Sequence, residues 1–249
     1  MKLKLKEIVP NQVWDDGQWC CVGFQPGTDS IQMFSVNGSP TNVVTYVTKE
    51  ALENIYYNFD AEPGWYDIDE VGEYNFSNPK GECYVNYGEG YVVKSGMGAG
   101  VIPTLTYSGE VKQNVTEIPG LPFMFSGNCT PVSFNLEKMQ TNQAWDDGQW
   151  CCTGFQPGTD SVQIFNKSGH PEYAVTFVTI EALQNIYYNF DAQPGWYDID
   201  EVGEYNFDNP LGKVISLNPG EAFVLKCSDG AGVQPTITIP NPMASTDAE

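Results

Sequence analysis

The sequence predicts a mainly β protein built from two tandem β-sandwich or jelly-roll-like domains, each carrying one short helix. Three observations predict it. A long block of sequence returns once at a fixed offset. Short runs rich in β-branched and aromatic residues alternate with turn signals. One segment in each block carries a helical rather than an alternating period.

The repeat sets the frame. Asn11-Gln-Val-Trp-Asp-Asp-Gly-Gln-Trp-Cys-Cys21 returns as Asn142-Gln-Ala-Trp-Asp-Asp-Gly-Gln-Trp-Cys-Cys152, an offset of 142 − 11 = 131. The match runs without a gap to Pro79 and Pro210, with roughly three in four positions identical. A one-residue slip follows, so that Gly88-Glu-Gly-Tyr-Val-Val93 faces Gly220-Glu-Ala-Phe-Val-Leu225. At the other end Leu3–Ile8 lies opposite Phe134–Met139. These limits give a first β-sandwich repeat over 1–111, a connecting segment with an extra strand over 112–131, a second repeat over 132–242, and a tail over 243–249. Leu121–Phe125 is the apolar piece that reads as the extra strand, and the first copy has no counterpart before Met1. A strand held by one copy alone leaves a sheet edge to be paired. Either Leu121–Phe125 simply bridges two complete domains, which is the plainer reading, or a neighbouring subunit supplies the missing pairing by strand addition.

Within each copy the elements follow in order. Ser30–Val36 and Asn42–Thr48 are β-rich runs joined by a turn at Asn37-Gly38, which reads as a hairpin; Ser161–Phe165 and Tyr173–Thr179 repeat it. In Thr48–Phe59, Leu52, Ile55, Tyr56 and Phe59 fall at i, i+3, i+4 and i+7, with Thr48 as N-cap, so a short helix is expected there. Pro63-Gly64 breaks it. Glu73–Phe76, Cys83–Tyr87, Glu89–Lys94 and Pro103–Tyr107 read as short strands, for about seven to nine strands per copy.

Composition narrows the function classes. Eleven Lys and Arg stand against 32 Asp and Glu, a net charge of −21. Phosphate recognition needs clustered Lys and Arg, so a nucleic-acid partner is not expected. No run is long and apolar enough to insert as a membrane helix. The opening Met-Lys-Leu-Lys-Leu-Lys-Glu-Ile8 alternates charged and apolar residues and does not read as a signal peptide.

Few residues carry chemistry. The one histidine, His170, lies between Gly169 and Pro171 and faces Ser39 in the other copy, which reads as a solvated turn. The seven cysteines are Cys20, Cys21, Cys83, Cys129, Cys151, Cys152 and Cys227; the odd count and the missing partners make a poor disulfide framework. In Trp-Cys-Cys, strand alternation puts one cysteine inside and the other on the opposite face. Asp67-x-Asp69-x-x-Gly72, with Asp198 and Asp200 in the second copy, loosely resembles a calcium loop, although an EF-hand would need an oxygen ligand at Val71. Calcium is thus the one cofactor candidate, and a solvated turn is the simpler reading. Paired acids also serve glycoside hydrolysis, but nothing in the sequence sets their separation. No Gly-x-Gly-x-x-Gly or Walker loop follows a strand. Trp14, Trp19, Trp65 and Tyr66 recur as Trp145, Trp150, Trp196 and Tyr197. Exposed, they are ligand or interface candidates; buried, they anchor cores.

One resemblance emerges from these pieces. Thr28-Asp-Ser-Ile-Gln-Met-Phe34, Gly64–Asp67, Gly88–Val93 and Gly109-Glu-Val111 fall in sequence, and the second copy repeats them at Thr159–Phe165, Gly195–Asp198 and Pro219–Val224. The pattern resembles a β-rich repeat of secreted and surface proteins of Gram-negative bacteria. The resemblance covers nearly the whole chain and implies an exported, non-catalytic β module on the cell surface or outside it. It names no ligand and no catalytic residue. The second copy departs from it, with Ile239-Pro-Asn-Pro where Gly-Glu-Val closes the first, and so do the Cys-Cys pairs. The expectation is a non-enzymatic structural subunit of a surface layer, filament or particle coat, self-associating into a polymer or lattice. The alternative is a bivalent glycan-binding protein using the repeated aromatics and carboxylates.

Overall fold

The structure, a computed structural model, describes residues 2–35, 38–86, 90–96, 100–107, 116–128, 130, 132–166, 169–228 and 232–239. Cys129, the motif at 109–111 and the tail at 243–249 lie outside the described residues. The chain is mainly β, with antiparallel sheets and short helices, and divides into two compact units. The first comprises Met1–Phe34, Ser39–Tyr87 and Tyr91–Glu110. The rest forms the second, including the connecting segment and two small pieces of the first copy, Ser35–Gly38 and Gly88–Gly90.

The first copy runs β1 (Lys2–Lys4), β2 (Ile8–Pro10), β3 (Val13–Asp15), β4 (Cys20–Val22), β5 (Ser30–Phe34), β6 (Pro40–Val47), α1 (Lys49–Asn54), β7 (Gly64–Asp67), α2 (Ile68–Gly72), β8 (Tyr84–Asn86), β9 (Val92–Lys94) and β10 (Leu105–Tyr107). Its main sheet has the order β7-β6-β5-β9, flanked by the pairs β1-β8, β2-β10 and β3-β4. The connecting segment holds β11 (Thr116–Pro119) and β12 (Met124–Gly127). The second copy follows with β13 (Phe134–Asn135), β14 (Gln140–Thr141), β15 (Ala144–Asp146), β16 (Cys151–Thr153), β17 (Ser161–Phe165), β18 (Pro171–Val178), α3 (Ile180–Asn185), β19 (Gly195–Asp198), α4 (Ile199–Gly203), β20 (Ser216–Leu217), β21 (Ala222–Lys226) and β22 (Thr236–Ile239). Its main sheet is β12-β21-β17-β18-β19, so β12 adds a fifth strand to the four the copies share.

The expected hairpins form as β5-β6 and β17-β18, each with a register shift at its end. Thr48 caps α1, accepting from the Ala51 N–H at 3.3 Å, but the helix stops at Asn54 instead of running toward Phe59. Two readings need correction. Each copy has two short α-helices, not one, because Asp67 and Asp198 cap the turns that follow β7 and β19. Residues 73–76 form a turn in place of the expected strand. The backbone reverses there by a Schellman pattern, with the Asn75 N–H on the Glu70 carbonyl at 2.8 Å and the Tyr74 N–H on Val71 at 3.0 Å.

Each unit contains two apolar clusters. Trp65 and Trp196 sit in the sheet clusters with Ile31 and Val44, and with Val162 and Val175. Tyr66 and Tyr197 sit in the helical clusters with Leu52 and Val71, and with Leu183 and Val202. Alternation along β7 and β19 explains the split: adjacent side chains point to opposite faces, so one strand feeds both clusters. Gln12 ties the two together. Its amide donates to the Phe24 and Tyr46 carbonyls at 3.0 and 2.9 Å, and its oxygen accepts from the Thr48 N–H at 2.8 Å. Gln143 repeats the brace. Glycine is required beside it: Gly23 has φ +76°, and a Cβ there would lie 2.0 Å from the Asn11 carbonyl oxygen.

Candidate functional site

The sequence singled out four aromatic residues per copy, and the structure sends them to three environments. Trp65, Tyr66, Trp196 and Tyr197 are each 1% exposed. Trp65 donates its indole N–H to the Ile8 carbonyl at 3.2 Å and meets Phe24 and Tyr46 edge-on. Trp196 does the same with Met139, Phe155 and Phe177. The Tyr66 hydroxyl donates to the Glu62 carbonyl at 2.5 Å, and its ring stands edge-on to Phe76; Tyr197 pairs with Gln193 and Phe207 in the same way. Of the candidate contact residues these four are therefore core anchors, with no face left for a ligand. Trp14 and Trp145 are half-buried against the helical clusters, with their indole N–H groups on Asp16 and Asp147. Trp19 and Trp150 alone of the eight are freely presented, each 78% exposed.

These two tryptophans share a second property. Their backbone lies in the left-handed region, at φ 53° and 55°. Each closes the four-residue turn between the hairpin strands β3 and β4, or β15 and β16, where glycine is the usual occupant. Tyr57 and Tyr188 behave alike, at φ 52° and 53° and 77% and 76% exposed. So do Tyr74 and Tyr205, at φ 59° and 61° and 60% and 61% exposed. Tyr57 follows the end of α1, and Tyr74 takes the left-handed position of the Schellman turn after α2, which normally falls to glycine. Phe59 and Phe190 add a further exposed ring to each copy. A bulky side chain at positive φ is a genuine backbone outlier, costing on the order of 1–2 kcal/mol. Six such outliers, all aromatic, all exposed and paired across the copies, are the most unusual feature of the described residues.

Sequence reasoning missed Tyr57, Phe59, Tyr74 and their repeats. The helical period placed Phe59 on a buried face, but α1 ends at Asn54 and the Asn58 N–H turns back to the Leu52 carbonyl at 2.9 Å, which throws Tyr57 and Phe59 outward. A signal was present all the same. Ile-Tyr-Tyr-Asn-Phe and Glu-Tyr-Asn-Phe place a tyrosine directly before asparagine at two helix ends, where a helix would ordinarily take glycine.

The carboxylates serve the turns. Asp15 accepts from the Gly17 N–H at 2.9 Å, and Asp146 from Gly148 at 2.8 Å. Asp67 accepts from the Asp69 N–H at 3.0 Å, and Asp198 from Asp200 at 2.9 Å, so the calcium-like spacing is a helix N-cap. Among the described residues no group of three or more His, Cys, Asp or Glu is placed to hold a metal ion. Asp160 is fully buried and takes three donors, the Gln156 N–H at 2.8 Å and the Ser228 N–H and hydroxyl at 2.7 and 3.0 Å. Burial still pushes its carboxyl above the ordinary aspartate value. It pins the chain after β21 to the turn before β17, and Asp29 joins Gln25 to Gly96 in the first copy.

Cysteines alternate as strand geometry requires. Cys21 and Cys152 are buried, Cys20 and Cys151 half-buried, and all four are free thiols. Burial pushes the Cys21 and Cys152 thiols up to about 11. His170 is exposed in its turn. No described helix is long and apolar enough to cross a membrane. No family model, curated protein or solved structure matches the chain.

Proposed function

We propose that this protein is a non-enzymatic structural subunit of an extracellular, cell-surface or particle assembly, and that it self-associates through its two β units. One observation carries the reading. In each copy Trp19, Tyr57 and Tyr74, or Trp150, Tyr188 and Tyr205, are held outward at a backbone conformation that disfavours them. Strain of that kind persists where a function needs it, and here it presents large rigid rings to solvent. Two equivalent surfaces on one chain suit contacts that propagate rather than close. Turn and cap duties for Asp15, Asp67 and their repeats fit a scaffold better than a catalytic centre.

Sedimentation velocity and negative-stain electron microscopy over a concentration series test this. Species that grow with concentration into filaments or sheets are expected, and replacing Trp19 and Trp150 by alanine should abolish the growth. Dispersed monomers at high concentration, with or without calcium, would overturn it. The high exposure of Trp19 and Trp150 also favours a second reading, in which those rings stack on sugars. In that case a glycan panel shifts the red-edge tryptophan emission of monomers; an unchanged spectrum across the panel removes the basis for it.

A further inference from the structure

The exposed rings are the same in both copies, so they cannot tell one unit from the other. Charge can. Along the aligned copies the formal charge changes sign at three positions: Lys6 is matched by Glu137, Glu7 by Lys138 and Glu82 by Lys213. Elsewhere in the alignment a charged residue is matched by its own sign or by a neutral residue. The helical half keeps to that rule, from Glu50 and Glu181 to Glu73 and Glu204.

The three positions lie together in the fold. Lys6 and Glu7 end a 3-10 turn over Leu5–Glu7, and Glu137 and Lys138 end its repeat over Leu136–Lys138. The Lys6 N–H donates to the Gly81 carbonyl at 3.0 Å and the Glu137 N–H to the Gly212 carbonyl at 2.9 Å. Glu82 and Lys213 follow those glycines, at the same place beside each turn. All six residues are exposed. A local ion pair with its polarity exchanged would account for the pattern if both units held one. In the first unit Lys4 and Lys6 both bond Glu82, the former at 2.6 Å. Among the described residues Glu137, Lys138 and Lys213 make no ion pair. The reversed charges of the second unit therefore serve no partner inside it.

We propose that this face of the first unit docks on the matching face of the second unit of another copy of the chain, about a pseudo-two-fold axis that sets equivalent positions opposite each other. Lys6 then meets Glu137, Glu7 meets Lys138 and Glu82 meets Lys213. First unit on first unit, or second on second, would oppose like charges at every one of these positions, so the contact joins unlike units alone. Each chain carries one face of each kind, which makes the contact head-to-tail and gives the assembly a direction. Exposed ion pairs add little affinity each, and their effect here is the choice of partner. The inference rests on the self-association reading and names the contact that orients it.

Two variants test it. One carries Lys6→Glu and Glu82→Lys, the other Glu137→Lys and Lys213→Glu. Glu7 is left in place because it accepts from the Lys4 N–H at 2.9 Å. Sedimentation velocity at about 50 mM salt should show each variant alone needing at least about tenfold more protein to grow than the unaltered chain. Mixed in equal amounts the two should regain the growth of the unaltered chain, because every junction between them is complementary. At about 1 M salt the difference between variants and unaltered chain should vanish. Near-ultraviolet dichroism checks the fold; if reversal disturbs it, Lys6→Gln with Glu82→Gln takes its place and should weaken growth to a smaller extent. Growth of a single variant at the level of the unaltered chain would overturn the proposal and leave the assembly reading standing. So would a mixture of folded variants that fails to recover. No growth of the unaltered chain would overturn both.

Discussion

Replacing Trp19 and Trp150 by glycine, and in a second variant by alanine, separates strain from contact. Both changes remove the ring, and only glycine relieves the left-handed backbone. A non-glycine residue there costs on the order of 1–2 kcal/mol, and the greater freedom of glycine in the unfolded chain returns about 0.5–1 kcal/mol of that. Glycine should therefore exceed alanine in stability by about 0.5–1 kcal/mol per site. The rings are 78% exposed, so the alanine variant should lose little, in contrast to the roughly 3–5 kcal/mol that follows removal of a core aromatic. Urea unfolding followed by the emission of the four tryptophans that remain in both variants, Trp14, Trp65, Trp145 and Trp196, measures the difference. Sedimentation on the same samples should show assembly lost in both variants, even in the more stable one. If alanine equals glycine, the positive φ carries no strain. If alanine loses about 3 kcal/mol or more, the rings are structural and the argument for a contact surface fails.

Gln12→Ala strands two carbonyls and one N–H that the side chain now satisfies; it should cost about 3 kcal/mol or more in urea unfolding, and Gln143→Ala should do the same in the second unit. Burial pushes the Tyr56 and Tyr187 hydroxyls up to about 12 from 10.0, so the native state keeps those protons longer than the unfolded chain. Their contribution is intact below pH 10 and lost as the pH climbs through about 12, so tyrosinate absorbance and loss of near-ultraviolet dichroism should rise together in that window. A thiol reagent at neutral pH should label Cys20 and Cys151 first and leave Cys21, Cys152 and Cys227 unreacted until urea is added, because burial raises all three of the latter thiols.

The β character, the hairpins and the Thr48 cap were legible because each rests on local pattern: alternation, a turn pair, a hydroxyl before a helical period. The alternation of Cys20 and Cys21 was legible for the same reason. The second helix was not. Asp67-Ile-Asp-Glu reads equally as an acidic turn or as a cap with its first turn, and the packing of Val71 into the helical cluster decides between them. Trp65 and Trp19 could not be told apart either. Both are tryptophans in short repeated motifs rich in turn residues, and one lies mid-strand and is buried while the other closes a turn. Exposure is a tertiary property, and the sequence offers only the hint that glycine is missing where a turn would take it.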